Sequence, residues 1–255
     1  MRIAVFDSGI GGITVLKELR KRFPSHDFLY YGDTANVPYG TKSHSQIRTL
    51  VKAATLEIKT KNVDAMVIAC NTAACIALDD CREIMNKTPV YSVVEAGVAT
   101  ITRILQNTTL SHNVLILGTK VTVRSKTYST LLKQSMGGDI ATFEQECPLL
   151  VPMIEEGWID HPILHQTVHE YVKSYASLKP GIAFLACTHY PWIKPAFEKA
   201  LPEWQVLDSA ALVGEMLAEQ VVDPHIPGIL TGKIDWFFSD REGVAPFKLM
   251  DELYK

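Results

Sequence analysis

An apolar run that stops at a cysteine and passes directly into small polar residues occurs twice in this chain. The two copies are Val67-Ile68-Ala69-Cys70-Asn71-Thr72 and Ile182-Ala183-Phe184-Leu185-Ala186-Cys187-Thr188-His189. Runs this short and uniformly apolar suit the inner strands of a parallel sheet, buried on both faces. Open α/β sheets bind ligands at the carboxyl ends of their strands, where the following loop and helix turn unpaired N–H groups toward a crevice. Each cysteine is therefore expected at a strand end, and the repetition implies a symmetric pair.

The rest of the chain reads as repeated βα units. Apolar runs at Ile3 to Phe6, Phe28 to Tyr31, Ala65 to Ala69, Val90 to Val94, Val114 to Leu117 and Gln205 to Leu207 predict strands, with a further strand ending at Cys147. Between them, helical stripes carry Ile13, Leu16, Leu19 and Phe23, stopped by Pro24, and Ile47, Leu50, Val51, Ala54 and Ile58, opened by a Ser43/Gln46 capping box. Helices are also expected from Thr72 to about Met85, through Tyr128, Leu131 and Leu132, through Leu164, Val168, Tyr171, Val172 and Tyr175, and through Val213, Met216, Leu217 and Gln220. A second half begins near Glu95-Ala96-Gly97. The fold class expected is α/β, with mainly parallel sheets flanked by helices in two closely packed lobes and the active site in the cleft between them. Beyond Asp223 the chain is rich in Pro and Gly and gives no clear pattern.

Composition narrows the function. A net charge of −3 over 255 residues, with no basic tract, gives no reason to expect nucleic acid or an anionic membrane as partner. No apolar run approaches membrane-spanning length, and the strand at Met1 to Asp7 breaks too early for a signal peptide. Five cysteines without a C-x-x-C pair argue for a reducing, cytoplasmic setting rather than a disulfide framework.

A lone buried cysteine is usually inert. Two at strand ends with polar neighbours are different, because a thiol of pKa about 8.5 suits proton transfer near neutral pH when a base or helix N-terminus helps form the thiolate. A base on one face of a planar carbanion and an acid on the other invert a stereocentre without a cofactor. His189 is placed to partner Cys187, and Asp7, at the end of the first strand, points a carboxylate toward the same crevice as Cys70. Cys75 and Cys81, inside a helical pattern, and Cys147, before Pro148, are read as structural. Asp7-Ser8-Gly9 alone reads as a turn and helix cap, and Gly9, Gly11 and Gly12 do not complete a dinucleotide fingerprint. His165 and His169 share a helix face but lack a third ligand, so no metal is assigned, and no lysine stands out as a pyridoxal Schiff-base residue.

Together the motifs resemble one family. They are Val5-Phe6-Asp7-Ser8-Gly9-Ile10-Gly11-Gly12, Tyr31-Gly32-Asp33-Thr34, Val37-Pro38-Tyr39-Gly40, Ala69-Cys70-Asn71-Thr72-Ala73, Gly118-Thr119, Cys147-Pro148, Val151-Pro152 with Glu155-Glu156-Gly157, and Cys187-Thr188-His189-Tyr190-Pro191. In this order, from Asp7 to about Asp208, the chain resembles the glutamate racemases, cofactor-independent enzymes that interconvert L- and D-glutamate and supply D-glutamate for peptidoglycan. The resemblance implies two pseudo-symmetric lobes, expected as 1–95 plus about 208–255 and as 96–207, with the C-terminal segment returning to the first. It implies that Cys70 removes the α-proton of D-glutamate and Cys187 that of L-glutamate, with Asp7 assisting Cys70 and His189 and Glu155 assisting Cys187. Ser8, Tyr39, Gly40, Asn71, Thr72, Thr119, Thr122 and Thr188 would hold the substrate through hydroxyls, an amide and backbone N–H groups, and Asp7, Pro38 and His189 also belong to the expected binding set. Small-molecule substrate, no cofactor and a homodimer complete the expectation. The rivals are a related racemase for aspartate or another small acidic amino acid, and a non-catalytic binding protein of the same fold. Ala186, Val121 and Asn36 stand where the family commonly has glycine, alanine and arginine, and Phe238-Ser239-Asp240 matches its C-terminal stretch poorly. Met250 to Lys255 resembles the tail of green fluorescent protein, and no function is placed there.

Overall fold

The computed structural model describes residues 1–218 and 232–240. In chain order it contains β1 (Arg2–Asp7), α1 (Ile13–Arg22), β2 (Asp27–Gly32), α2 (His44–Lys59), β3 (Ala65–Ile68), α3 (Asn71–Met85), β4 (Val90–Ser92) and α4 (Val93–Gln106). It continues with β5 (Asn113–Gly118), α5 (Lys120–Arg124), α6 (Thr127–Met136), β6 (Ala141–Glu146), α7 (Leu150–Glu155) and α8 (Pro162–Val172). The last elements are β7 (Ile182–Ala186), α9 (Lys194–Ala200), β8 (Gln205–Asp208), α10 (Ser209–Ala218) and β9 (Ile234–Phe238). Two all-parallel sheets result, one in the order β4-β3-β1-β2-β9 and one in the order β6-β5-β7-β8.

Burial explains why the strands read as unbroken apolar runs. Every residue of β3 and β7 is buried. Along β5 and β7 the side chains alternate. Val114, Ile116, Ile182, Phe184 and Ala186 join the core shared with the first sheet, while Leu115, Leu117, Ala183 and Leu185 pack on the far side with Leu150, Leu164, Val168 and Phe197. In α2 the expected stripe faces inward, with Ile47, Val51, Ala54 and Ile58 buried and Leu50 half-buried, and the Ser43/Gln46 capping box forms in both directions. Fully burying a residue such as Ile47 or Val51 contributes about 1.5–3 kcal/mol.

Several boundaries differ from the sequence reading. The run Val90 to Val94 is not one strand, because the Ser92 hydroxyl accepts a hydrogen bond from Val94 N at 3.1 Å and caps α4. Val93 and Val94 are buried as the first helical turn instead, and the expected lobe boundary at 95/96 falls within α4. Helix α8 ends at Val172, leaving Tyr175 in the turn that follows. The short α5, capped by Thr119, gave no periodic signal. Strand β9 lies in the stretch beyond Asp223 that carries no clear sequence pattern, yet it pairs in parallel with β2 and stacks Phe237 on Tyr31 with ring centroids 4.5 Å apart. Gln220 and the Met250 to Lys255 tail lie outside the described residues. Helix α10 packs on both α1 and α4, and a Cβ on Gly97 of α4 would collide with the ring of Phe184 in β7. The two sheets are thus joined by close packing through their helices.

Candidate active site

The strand ends meet. Asp7 ends β1, Asp33 follows β2, and Cys70 follows β3. In the other sheet Thr119 follows β5, Cys147 follows β6, Cys187 follows β7 and Ser209 follows β8. A cavity of about 320 Å³ lies where these ends face one another, and Cys70 and Cys187 both line it. Of the expected residues, Ser8, Pro38, Tyr39, Gly40, Asn71, Thr72, Thr119, Glu155, Thr188 and His189 line the same cavity. Asp7 and Thr122 do not reach the wall. Asp7 is completely buried behind it, and Thr122 hydrogen-bonds the hydroxyls of Thr72 and Thr119 at 3.0 Å each.

The two thiols have unlike surroundings. Cys70 is the N-cap of α3, its sulfur accepting from Ala73 N at 3.4 Å while its S–H donates to Ser8 Oγ at 3.3 Å. Burial, reinforced by the nearby Asp7 carboxylate, pushes the Cys70 thiol up to about 12. Cys187 faces a base instead, with its Sγ 4.0 Å from His189 Nδ1 and His189 Nε2 in turn 3.0 Å from Glu155 Oε1. Burial opposes charge on His189, but Cys187 and Glu155 outweigh it and raise the imidazole to about 10. An imidazolium beside a sulfur is the charge that a thiolate needs.

Asp7 touches both sides. Its carboxylate accepts from Gly9 N at 2.9 Å and from the Thr188 hydroxyl at 3.3 Å, so its link to Cys70 is through charge rather than a hydrogen bond. Burial raises its pKa above the ordinary carboxylate value, with His189 and the Gly9 and Gly12 amides acting in the opposite direction. Thr14 donates its hydroxyl to the Thr188 carbonyl at 2.9 Å, a second tie between the sheets.

Two expected polar contacts are already engaged. The Tyr39 hydroxyl donates to Asp33 at 2.6 Å, so what Tyr39 offers the cavity is its ring and backbone. The Asn71 side-chain amide accepts from Tyr128 Oη at 2.6 Å and donates to Ser209 Oγ at 3.0 Å, bracing α6 and α10. The Thr72, Thr119 and Thr122 hydroxyls bond one another across the sheets at 2.9–3.0 Å. Cys147, read as structural, is buried but lines the cavity, as do Val37, Pro148, Val151 and Pro152. Cys75 and Cys81 lie in α3 outside that lining, and His165 pairs with Asp160 at 2.8 Å. Among the described residues no group of three His, Cys, Asp or Glu side chains could hold a metal, and no helix is long and apolar enough to cross a membrane.

Sequence reasoning gave no role to Asp33, Tyr30, Tyr128, Ser209 or Ser239. Asp33 holds Tyr39 and Asn36 and accepts from Ser239 Oγ at 2.7 Å, and Tyr30 Oη donates to the Gly9 carbonyl at 2.9 Å. The position of Asp33 just beyond the end of β2, parallel to that of Asp7 on β1, was a usable signal. The others act across distances of 21 residues or more, which no local pattern reveals.

Two parallel sheets that turn their strand ends, with a cysteine from each, toward one small cavity define an α/β protein with a cleft for a small molecule between its sheets. The comparisons with known proteins agree with that class. The chain belongs to the Asp/Glu/Hydantoin racemase family, whose model matches residues 14–217. It is 41% identical over 218 residues to a glutamate racemase of Sulfurihydrogenibium sp. (strain YO3AOP1), covering 85% of this chain and 82% of that protein. A glutamate racemase of Neisseria meningitidis is 37% identical, with 99% and 92% covered. Among solved structures, glutamate racemase from Francisella tularensis in complex with D-glutamate superposes with a TM-score of 0.86 at 31% identity, covering 99% of this chain and 92% of that one.

Proposed function

We propose that this chain interconverts L- and D-glutamate without a cofactor, by proton transfer at Cα between Cys187 and Cys70, and so supplies D-glutamate for peptidoglycan. The observation that carries the reading is the pair of unlike thiols lining one cavity. Cys187, whose sulfur faces the His189 imidazole, acts as the base toward L-glutamate, and Cys70, held protonated by burial, as the acid. From L-glutamate, the Cys187 thiolate takes the α-proton and becomes a thiol. The planar carbanion then receives the Cys70 proton on its other face, leaving Cys70 as thiolate. The reverse turnover starts from that inverted state, with Cys70 as base and Cys187, backed by His189 and Glu155, as acid. Asp7 tunes Cys70 through its charge and steadies Thr188. Ser8, Gly40, Thr72, Thr119, Thr188 and the backbone N–H groups at the start of α3 form the binding set, with Tyr39 and Pro38 as wall and Thr122 behind it. Asn71 contributes its backbone, since its amide is engaged elsewhere.

The two lobes in this reading are 1–95 plus about 208–255 and 96–207, which the two separate sheets and the parallel return of β9 onto β2 support. A cytoplasmic homodimer belongs to the same reading; Leu149, Trp158 and Ile163 expose apolar surface around α7 and α8 that suits a second copy. The deciding experiment follows optical rotation of L-glutamate and L-aspartate with purified protein, no cofactor added, in ordinary and deuterated water. Loss of rotation from glutamate with deuterium at Cα is expected. Racemisation of aspartate alone, or of neither, overturns the assignment.

A further inference from the structure

Beside the cleft lies a second cavity with a different character. It shares Gly40, Thr41 and Lys120 with the cleft lining, so the two spaces adjoin, and it adds Lys42, His44 and Arg124. Among the described residues no carboxylate lines it. Arg124 is held by Glu146 at 2.6 Å, whereas among the described residues Lys42 and Lys120, both half-buried at its wall, form no ion pair. Lys42 and His44 come from the segment that opens α2 and Lys120 and Arg124 from α5, so the nitrogen-bearing side chains converge from both sheets' sides of the cleft. Among the described residues the cleft is lined by no arginine and by one lysine, Lys120. Two lysines with no counter-charge among the described residues, at a concave surface beside the cleft, concentrate small anions.

We propose that this side cavity is an anion vestibule: Lys42 and Lys120 hold a small di-anionic or dicarboxylate molecule at the mouth and hand it to the cleft. The inference rests on the reading of the substrate as an acidic amino acid, whose distal carboxylate is the group the vestibule attracts. A neutral amino acid of similar size lacks that group and gains nothing from it. Inorganic phosphate has the charge to compete for the same place. Because the attraction is electrostatic and partly exposed, it fades as the Debye length shrinks from about 10 Å at 0.1 M salt to about 3 Å at 1 M.

The test compares wild type with Lys42→Gln/Lys120→Gln and with Lys42→Arg/Lys120→Arg. In low salt the glutamine pair is expected to raise KM for glutamate about fivefold with kcat retained, to lose the difference near 1 M salt, and to weaken phosphate inhibition, while the arginine pair behaves like wild type. An unchanged KM at low salt, or a rise that persists at high salt, overturns the vestibule. Phosphate binding is also measured calorimetrically on wild type and the glutamine pair without substrate. If wild type fails to racemise glutamate, the functional reading falls, while tighter phosphate binding by wild type still supports the vestibule and equal binding by the two proteins overturns it.

Discussion

At the scale of single residues, the site is asymmetric where the sequence looks symmetric. Cys70 and Cys187 end equivalent runs, yet one thiol sits among a hydroxyl and an amide and the other faces an imidazole backed by a carboxylate. Cys70→Ser and Cys187→Ser should each lower racemisation by about 10³-fold or more, because a serine hydroxyl is far too weak an acid near pH 7, while Cys75→Ser stays active. Polarimetry on the three variants checks this, and near-normal activity in either of the first two removes that cysteine from the mechanism. His189 adds a pH signature. Its folded pKa of about 10 lies above its ordinary value, so the fold favours the protonated form. That stability is fully present below pH about 6.5 and is lost as pH rises through about 10. The urea midpoint of wild type should therefore fall more between pH 7 and 10 than that of His189→Asn; parallel curves contradict the ion-pair account. Asp7 is also raised, but because burial makes its charged form costly. Asp7→Asn can keep the Gly9 and Thr188 contacts, so the urea midpoint at pH 7 should hold while racemisation falls by about 10²-fold. A collapse of the midpoint would make Asp7 a structural residue first.

At the scale of elements, the loops after the strands do the positioning and the helices fix the loops. Asp33 beyond β2 clamps Tyr39 and Asn36, and Ser239 just beyond β9 clamps Asp33 in turn. The start of α3 is braced through Asn71 to α6 and α10. Helix α10 carries a glycine at 214 where an added methyl group would meet nothing closer than 3.9 Å. Gly214→Ala removes backbone freedom from the unfolded chain at no steric cost and should stabilise by about 0.5–1 kcal/mol. A higher melting temperature with unchanged kcat is the expected result, and a lower one would mean that α1 leaves no room for the methyl group.

For the whole molecule, catalysis depends on how the two sheets are held against each other. Thr14 to the Thr188 carbonyl, Asp7 to the Thr188 hydroxyl, and the three threonines of α3, Thr119 and α5 span the seam. Gly11 sits at the tightest point, where a Cβ would press on Thr188 Oγ1 and on the His189 ring. Gly11→Ala should push the β7 end outward and shift Cys187 relative to Cys70. Displacement approaching 1 Å costs about 10²-fold in rate. Single-turnover racemisation should show that loss while the circular dichroism spectrum stays native, and wild-type kinetics would show that the seam tolerates the methyl group.

The sequence by itself determined the local features: strands buried on both faces, the α2 cap and stripe, and the residues that end each strand. Burial and backbone chemistry act within a few positions there, so residue type reports them directly. The place of His189 two residues after Cys187 suggested that partner directly, and the motifs of the resemblance added Glu155. Only the tertiary structure decided that Val93 and Val94 belong to a helix, that β9 returns to β2, and that the Tyr39 hydroxyl and the Asn71 amide are engaged by Asp33, Tyr128 and Ser209. It alone placed Asp7 against Thr188 and gathered Lys42, His44, Lys120 and Arg124 around one space. These outcomes depend on which partner reaches a given atom first across tens or hundreds of residues, and hydrogen-bond competition at that range leaves no periodic trace in the chain.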